Sequence, residues 1–396
     1  MDQETVNELV DYAIGHGVNY FDTSPVYVQG LSERSTGIAL SRHPRDKYFL
    51  ATKLSNFSNY TRENSLAMYR RSLEELQTDY FDYYLLHSVG GGTGIPLVRA
   101  RYFDNGMMDF LLREREAGRV RNLGWSFHGD VRVFDYMLSL DIPWDFVQIQ
   151  MNYADWRHAQ GRNVNAEYLY GELEKRNIPV VIMEPLLGGR LTRLNDHLVS
   201  RLKTRRPDQS VASWAFRFAG SFPGVLTALS GMTYMEHLQD NIRTYSPLEP
   251  CSEEEFALLE ETARMMLEYP TIPCNDCQYC MPCPYGIDIP AILLHYNRCI
   301  NEHSPQPAGW KLPQGAPGIP DRLRPQCAAP AAGQPLHRLR PMHAALSAEH
   351  RYPARTAPHR RLRRTTQTGH AITYRHPIKS DEYASLSLHG MNLAVV

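Results

Sequence analysis

The feature that most constrains this chain is a regular alternation of short apolar runs with amphipathic stretches, from Val6 to Leu229. Val6, Leu9, Val10, Ala13 and Ile14 recur at helical spacing, and Gly15 and Gly17 end that helix. Val18-Asn19-Tyr20-Phe21 then reads as a short strand ending at Asp22. Further strand-like runs fall near 47–53, 79–86, 120–126, 145–150, 179–183 and 225–229, with amphipathic stretches such as 62–76 and 166–176 between them. Strands that alternate with helices are parallel and joined by crossovers. Polar residues close the first six runs: Asp22, Lys53, His87, Ser126, Gln150 with Asn152, and Glu184. In a barrel those strand ends converge on one face, where such folds do their chemistry. An open, doubly wound sheet is the rival, but no glycine-rich phosphate turn follows an early strand. Because seven strand runs are present and the chain opens on a helix, the expected fold is a (β/α)8 TIM-type barrel lacking its first strand.

Composition adds limits. No run of eighteen apolar residues is present, so no transmembrane helix is expected, and the first twenty residues lack a signal pattern. The expected compartment is the cytoplasm. The net charge of −1 hides an asymmetry: residues 304–364 carry ten Arg and one Lys against Asp321 and Glu349, so residues 1–303 are acidic. Four of the seven cysteines, Cys274, Cys277, Cys280 and Cys283, fall within ten residues. That density in a cytoplasmic chain argues for metal binding rather than disulfides.

Three segments carry a resemblance to a known family. Phe21-Asp22-Thr23-Ser24-Pro25-Val26-Tyr27 resembles the D-T-A-x-x-Y segment of aldo/keto reductases. Ala51-Thr52-Lys53-Leu54 resembles their lysine strand, and Asp82-Tyr83-Tyr84-Leu85-Leu86-His87 their L-x-H strand. The resemblance covers roughly residues 4–300 and implies a catalytic tetrad at Asp22, Tyr27, Lys53 and His87. Reducing a carbonyl needs a hydride at carbon and a proton at oxygen. Tyr27 would donate the proton; a phenol is a weak acid, and a nearby ammonium at Lys53 would favour the phenolate. Asp22 would hold Lys53, and His87 would bond the substrate oxygen, so that all four polarise the carbonyl where charge develops.

The resemblance also implies a nicotinamide cofactor site. Gly124-Trp125-Ser126-Phe127-His128 resembles the family's G-x-S segment, with Ser126 as the binding residue. Gln150 and Asn152 resemble residues beside the nicotinamide. Glu184, Pro185, Leu186 and Gly188 fall in a loop like the one covering the pyrophosphate, and Ser230, Gly231, Met232, Gln239 and Asn241 in the adenosine-side segment. NADP-preferring members place a basic residue after that last strand; Gly231 and Met232 stand there, and His237 stands where Arg is common, so NADP and NAD both remain open.

Cys274-Asn275-Asp276-Cys277-Gln278-Tyr279-Cys280-Met281-Pro282-Cys283-Pro284 is similar to a ferredoxin-type 4Fe-4S run, with two residues in the third gap where the usual run has three. Zinc is the rival, since four cysteines suit it too. In two-cluster ferredoxins the fourth cysteine serves the other cluster, so the partner of Cys283 is open. The expected organisation is a barrel over 1–250, a ferredoxin-like segment over 251–303 and a disordered or frame-shifted tail over 304–396. The frame-shift reading rests on Pro335–Pro353: suitable codons, shifted by one base, spell a second cysteine run of full ferredoxin spacing. The tail lacks interleaved aromatics, so its charge is not read as nucleic-acid binding.

The expected function is hydride transfer between NADP or NAD and an aldehyde or ketone, with an iron–sulfur cluster attached. Two alternatives stand beside it: an iron–sulfur electron-transfer module working with a partner, and an inactive truncated product.

Overall fold

The computed structural model describes residues 2–302, apart from 93, 162, 270, 273 and 275–279, together with the strand at 392–395. Eight parallel strands close a barrel in the order β1 Tyr20–Asp22, β2 Phe49–Leu54, β3 Phe81–Val89, β4 Val120–Phe127, β5 Phe146–Gln150, β6 Val180–Met183, β7 Val225–Ser230 and β8 Asn392–Val395. The helices are α1 Gln3–Gly15, α2 Ser32–Leu40, α3 Arg62–Glu75, α4 Ile95–Val98, α5 Met107–Glu116, α6 Val131–Ser139, α7 Asp155–His158, α8 Ala166–Glu174, α9 Asp196–Arg205, α10 Val211–Gly220, α11 Met235–Tyr245, α12 Glu253–Glu268 and α13 Ile289–Glu302. No helix among the described residues is long and apolar enough to cross a membrane.

Local chemistry explains the helix starts. Thr61, Asp130, Asn195 and Ser210 each turn a side-chain oxygen onto a first-turn N–H of α3, α6, α9 and α10. Ser252 and Glu255 form a reciprocal capping box that opens α12. Two-residue alternation explains the barrel. Tyr20, Ala51, Tyr83, Leu85, Phe146, Val181, Met183 and Leu229 face inward as one small cluster. Their neighbours on the outer faces, including Trp125, Val147 and Ile182, join the larger core beneath the helices. Gly124 sits in the inward register because a Cβ there would stand 2.4 Å from the Phe146 carbonyl oxygen.

One expectation changes. No strand precedes α1 among the described residues, and the place between β1 and β7 is filled instead by β8, pairing Tyr20 with Ala394 and Ser230 with Val395. Two parallel edges left open would expose unpaired N–H and C=O groups, and these four residues satisfy both. Residues 392–395 of the expected tail are thus a strand; the rest of that tail, 304–391, lies outside the described residues. The helix just beyond residue 250 packs on the barrel. Helix α12 places Leu259 and Ala263 in the barrel's own core. Its Glu255, buried, takes Arg217 Nη2 at 2.6 Å and Arg206 Nε at 2.5 Å.

Candidate active site

The four expected tetrad residues come together at the C-terminal end of the barrel. Asp22 ends β1, Lys53 lies near the end of β2, His87 lies on β3, and Tyr27 opens a short turn, Tyr27–Gly30, just after β1. Lys53 is fully buried and donates to Asp22 and, at 2.8 Å, to the Thr23 carbonyl oxygen. The same ammonium hydrogen-bonds Tyr27, and its Nζ stands 4.7 Å from the Tyr27 ring centroid. The half-buried Tyr27 ring meets the His87 imidazole edge-on at 5.7 Å between centroids.

The electrostatics follow from burial and charge. Burial pulls the Lys53 ammonium down, but Asp22 and Tyr27 more than offset it, so Lys53 titrates above its ordinary value and stays charged. Burial and the Lys53 charge push His87 well below the usual imidazole range, so the ring is neutral. Its carbonyl oxygen accepts from Arg101 Nη2 and the Tyr102 hydroxyl, each at 2.9 Å, and its Nδ1 stands 2.6 Å from Ser55 Oγ. The site therefore offers a phenol, a fixed cation and a neutral imidazole in one cluster, a set suited to stabilising negative charge on an oxygen.

Backbone strain gathers at the same face. Of the seven described non-glycine residues with positive φ, five border the strand ends: Val28, Gln29, Ser88, Glu184 and Leu187. For a β-branched residue such as Val28, at φ 48°, this conformation is costly, and such residues concentrate where function requires them.

The expected cofactor residues line the next sector. Ser126 Oγ accepts from the Ser88 N–H at 2.8 Å. Gln150 Nε2 donates to Asp155 at 2.6 Å. Asn152 is fully engaged in structure: its amide donates to Asp155 and to the Glu184 carbonyl oxygen, and its oxygen accepts from Ala154 and Asp155 N–H groups. Glu184 is pushed up by burial and accepts from the Gly188 N–H, which folds the loop Glu184–Pro185–Leu186–Leu187–Gly188 back on itself. Cavities of about 560 Å³ and 260 Å³ flank that loop; Gly188 and Arg190 line the larger, Gln150 and Glu184 the smaller. At the end of β7, Ser230 Oγ accepts from Asn241 at 3.0 Å, tying α11 to the strand. Gly231 is exposed, Met232 buried and Gln239 partly buried. No side chain caps α11, and its His237 N–H turns onto the Tyr234 carbonyl oxygen at 3.1 Å.

The cysteine segment is described in part. Cys283 is buried, Cys274 half-buried at the wall of the larger cavity, and Cys280 exposed; Cys277 lies outside the described residues. No disulfide joins the described cysteines. Among the described residues no three His, Cys, Asp or Glu side chains stand together as metal ligands.

Three further residues bear on His87: Ser24 and Ser55 by contact, His128 through its charge. Ser24 and Ser55 continue the inward registers Tyr20–Asp22 and Ala51–Lys53 by one more step. His128 does the same for Asn122, Gly124 and Ser126. Its imidazole is lowered by burial and by the Lys53 charge, and its own charge bears on His87.

Comparison with known proteins agrees with this geometry. The model of the aldo/keto reductase family matches residues 1–264. D-arabinose 1-dehydrogenase of Saccharomyces cerevisiae is 40% identical over 92 residues, 21% of this chain and 27% of that protein, so the matched stretch spans about a quarter of this relative. L-galactose dehydrogenase of Arabidopsis thaliana is 24% identical over 265 residues, 62% of this chain and 80% of that protein. In fold, an aldo/keto reductase from Klebsiella pneumoniae, crystallised with NADP and acetate, superposes with a TM-score of 0.53 at 24% identity, covering 65% of this chain and 85% of the other. With the parallel barrel and a family match over two thirds of its length, the chain belongs to the aldo/keto reductase family of oxidoreductases.

Proposed function

We propose that the chain reduces an aldehyde or ketone with a nicotinamide dinucleotide as hydride donor. The observation that carries this reading is the convergence of Tyr27, Lys53, Asp22 and His87 in one cluster. When bound, the reduced nicotinamide supplies the hydride; the remaining work falls to the chain. Tyr27 holds the proton destined for the carbonyl oxygen. Lys53, kept charged by Asp22, sits against Tyr27 and stabilises the phenolate left behind. His87, neutral, orients the oxygen and takes no proton of its own.

Ser126 and Gln150 would hold the nicotinamide amide, and Asn152 would support Gln150 through their shared partner Asp155. Glu184, Pro185, Leu186 and Gly188 would form the cover over the pyrophosphate. Ser230, Gly231, Met232, Gln239 and Asn241 would form the adenosine side. The uncapped start of α11 favours an extra phosphate there, and so NADP over NAD. The names of two relatives, dehydrogenases of D-arabinose and L-galactose, favour hydroxylated aldehydes and their cyclic forms as the substrate class.

The cysteine run is proposed to hold a 4Fe-4S cluster through Cys274, Cys277, Cys280 and Cys283; all four donors are thiols at ferredoxin-like spacing. An anaerobic preparation is expected to contain iron and acid-labile sulfide; zinc without iron would overturn the assignment. Such a cluster would pass electrons to a partner, and would do so whether or not Tyr27 is intact.

The test of the reductase reading is Tyr27→Phe. Carbonyl-dependent NADPH oxidation is expected to fall about 100- to 10,000-fold, while NADPH still quenches protein fluorescence. Unchanged turnover in the variant would overturn it.

A further inference from the structure

Behind His87 lie two buried serines that the reductase reading leaves without a role. Ser55 Oγ stands 2.6 Å from His87 Nδ1, and Ser24 Oγ stands 2.9 Å from Ser55 Oγ and 3.4 Å from Nδ1. No described residue bonds the other ring nitrogen, Nε2. The ring itself is already fixed in place. Arg101 and Tyr102 clamp the His87 carbonyl oxygen, and Tyr27 and Phe57 stand against the imidazole at 5.7 and 5.0 Å between centroids. What remains to be set is the tautomer.

We propose that Ser55, backed by Ser24, is a positioning residue that keeps the His87 proton on Nε2, so that the ring presents a donor to the substrate oxygen. The inference rests on the carbonyl-reductase reading and deepens it. A neutral imidazole has one N–H, so the tautomer decides whether Nε2 donates or accepts.

An inventory of the hydroxyl protons favours this direction. The Val26 N–H donates to Ser24 Oγ at 3.4 Å. If Ser24 donates to Ser55 and Ser55 to Nδ1, each hydroxyl proton has an acceptor and Nε2 keeps the ring proton. If instead Nδ1 donates to Ser55 and Ser55 to Ser24, the proton of the fully buried Ser24 has no acceptor among the described residues. A third arrangement sends the Ser55 proton to the Lys53 carbonyl oxygen, but that contact is 3.5 Å, at the limit of a hydrogen bond. The complete inventory and the marginal length of the Lys53 contact select the first. No proton crosses this chain during turnover; the serines bias an equilibrium between two forms of the ring.

The experiment is ¹⁵N NMR of the full chain labelled at histidine, with His87 assigned by loss of its signals in His87→Asn. Wild type is expected to show Nε2 protonated and Nδ1 as an acceptor. Ser55→Ala is expected to mix the two tautomers and lower kcat/KM about tenfold, short of the roughly 100-fold cost of losing a donor outright, with NADPH affinity unchanged. Ser55→Thr, which keeps the hydroxyl, is expected to restore both. If Ser55→Ala does not fold, Ser55→Cys, close in size and a poor donor, is read in the same way. A protonated Nδ1 in wild type, or a tautomer indifferent to loss of the Ser55 hydroxyl, overturns the proposal. A wild-type chain that reduces no carbonyl would instead sink the reductase reading, while the nitrogen shifts still decide the role of Ser55.

Discussion

A buried imidazole, His87, and a half-buried one, His128, both feel the charge of one buried ammonium, and the consequence is a stability that depends on pH. Burial first, and the Lys53 charge second, lower both His87 and His128 below the ordinary value of 6.5. Below pH 6.5 the unfolded chain binds protons at these two positions that the folded chain refuses. The folded state therefore loses ground as pH falls, by up to about 1.4 kcal/mol per pH unit for each ring. Above pH 6.5 both states hold neutral rings and the contribution is flat. Urea unfolding at pH 7.5, 6.5 and 5.5 should show this slope, and His87→Asn should remove part of it. An identical slope in that variant would mean that His87 is not held neutral. Catalysis should show the complement: no loss of carbonyl reduction between pH 7.5 and 6 from protonation of His87.

At this scale the sequence was informative about residue type and less so about commitment. Asp22, Lys53 and His87 could be read because a polar residue ending a barrel strand has few structural reasons to be there. Asn152 is read the same way, and its side chain also bonds Asp155, Ala154 and Glu184. Nothing in the spacing distinguishes an amide that faces a ligand from one that closes a turn. Ser24 and Ser55 were passed over for the opposite reason: serine is common near strand ends, and only the third partner, His87, gives these two a meaning.

Among the elements, the seven strands from β1 to β7 were legible to within a few residues because alternation and turn residues bracket each one. What alternation does not show is the allegiance of α12. The residues that decide it were visible as Ser252 and Glu255, three apart, but a capping box marks a helix start and says nothing of what the helix packs against. In the fold Glu255 does both jobs, capping α12 and taking the guanidiniums of Arg217 from α10 and Arg206 from the end of α9. Burial alone would raise its carboxyl; the hydrogen bonds from Arg217 and Arg206 outweigh this and set it at about 2. Stability from this group is complete above the ordinary value of 4.5 and is lost as pH falls towards 2. Glu255→Ala leaves Arg217 buried without its carboxylate and is expected to cost about 3–5 kcal/mol in chemical denaturation. A loss under about 1 kcal/mol would show that α12 is held by Leu259 and Ala263 alone.

For the molecule as a whole, the decisive element is the one the sequence hid. A run of four residues, Asn392–Val395, is too short to distinguish a strand from any other apolar stretch, and it lies far in sequence from both its neighbours. Only the closed ladder shows its role, with Asn392 through Val395 paired to Thr227 through Ser230 on one side and Ala394 and Val395 paired to Tyr20 and Phe21 on the other. Because Tyr20 lies two residues before Asp22 on β1, this closure supports the wall that carries Asp22 and, through it, Lys53. Deleting 392–396 is expected to lower Tm, by roughly 2–4 °C for each kcal/mol lost. It should also promote association through the bared edges of β1 and β7. Ala394→Pro, which removes one ladder donor between two strands, should act in the same direction and less severely. Thermal melts and size-exclusion chromatography read both effects, and carbonyl reduction should fall with them as Asp22 loses its fixed position. A deletion variant with unchanged Tm, mass and turnover would mean that the barrel holds its active face on seven strands, and that β8 contributes nothing to the chemistry it borders.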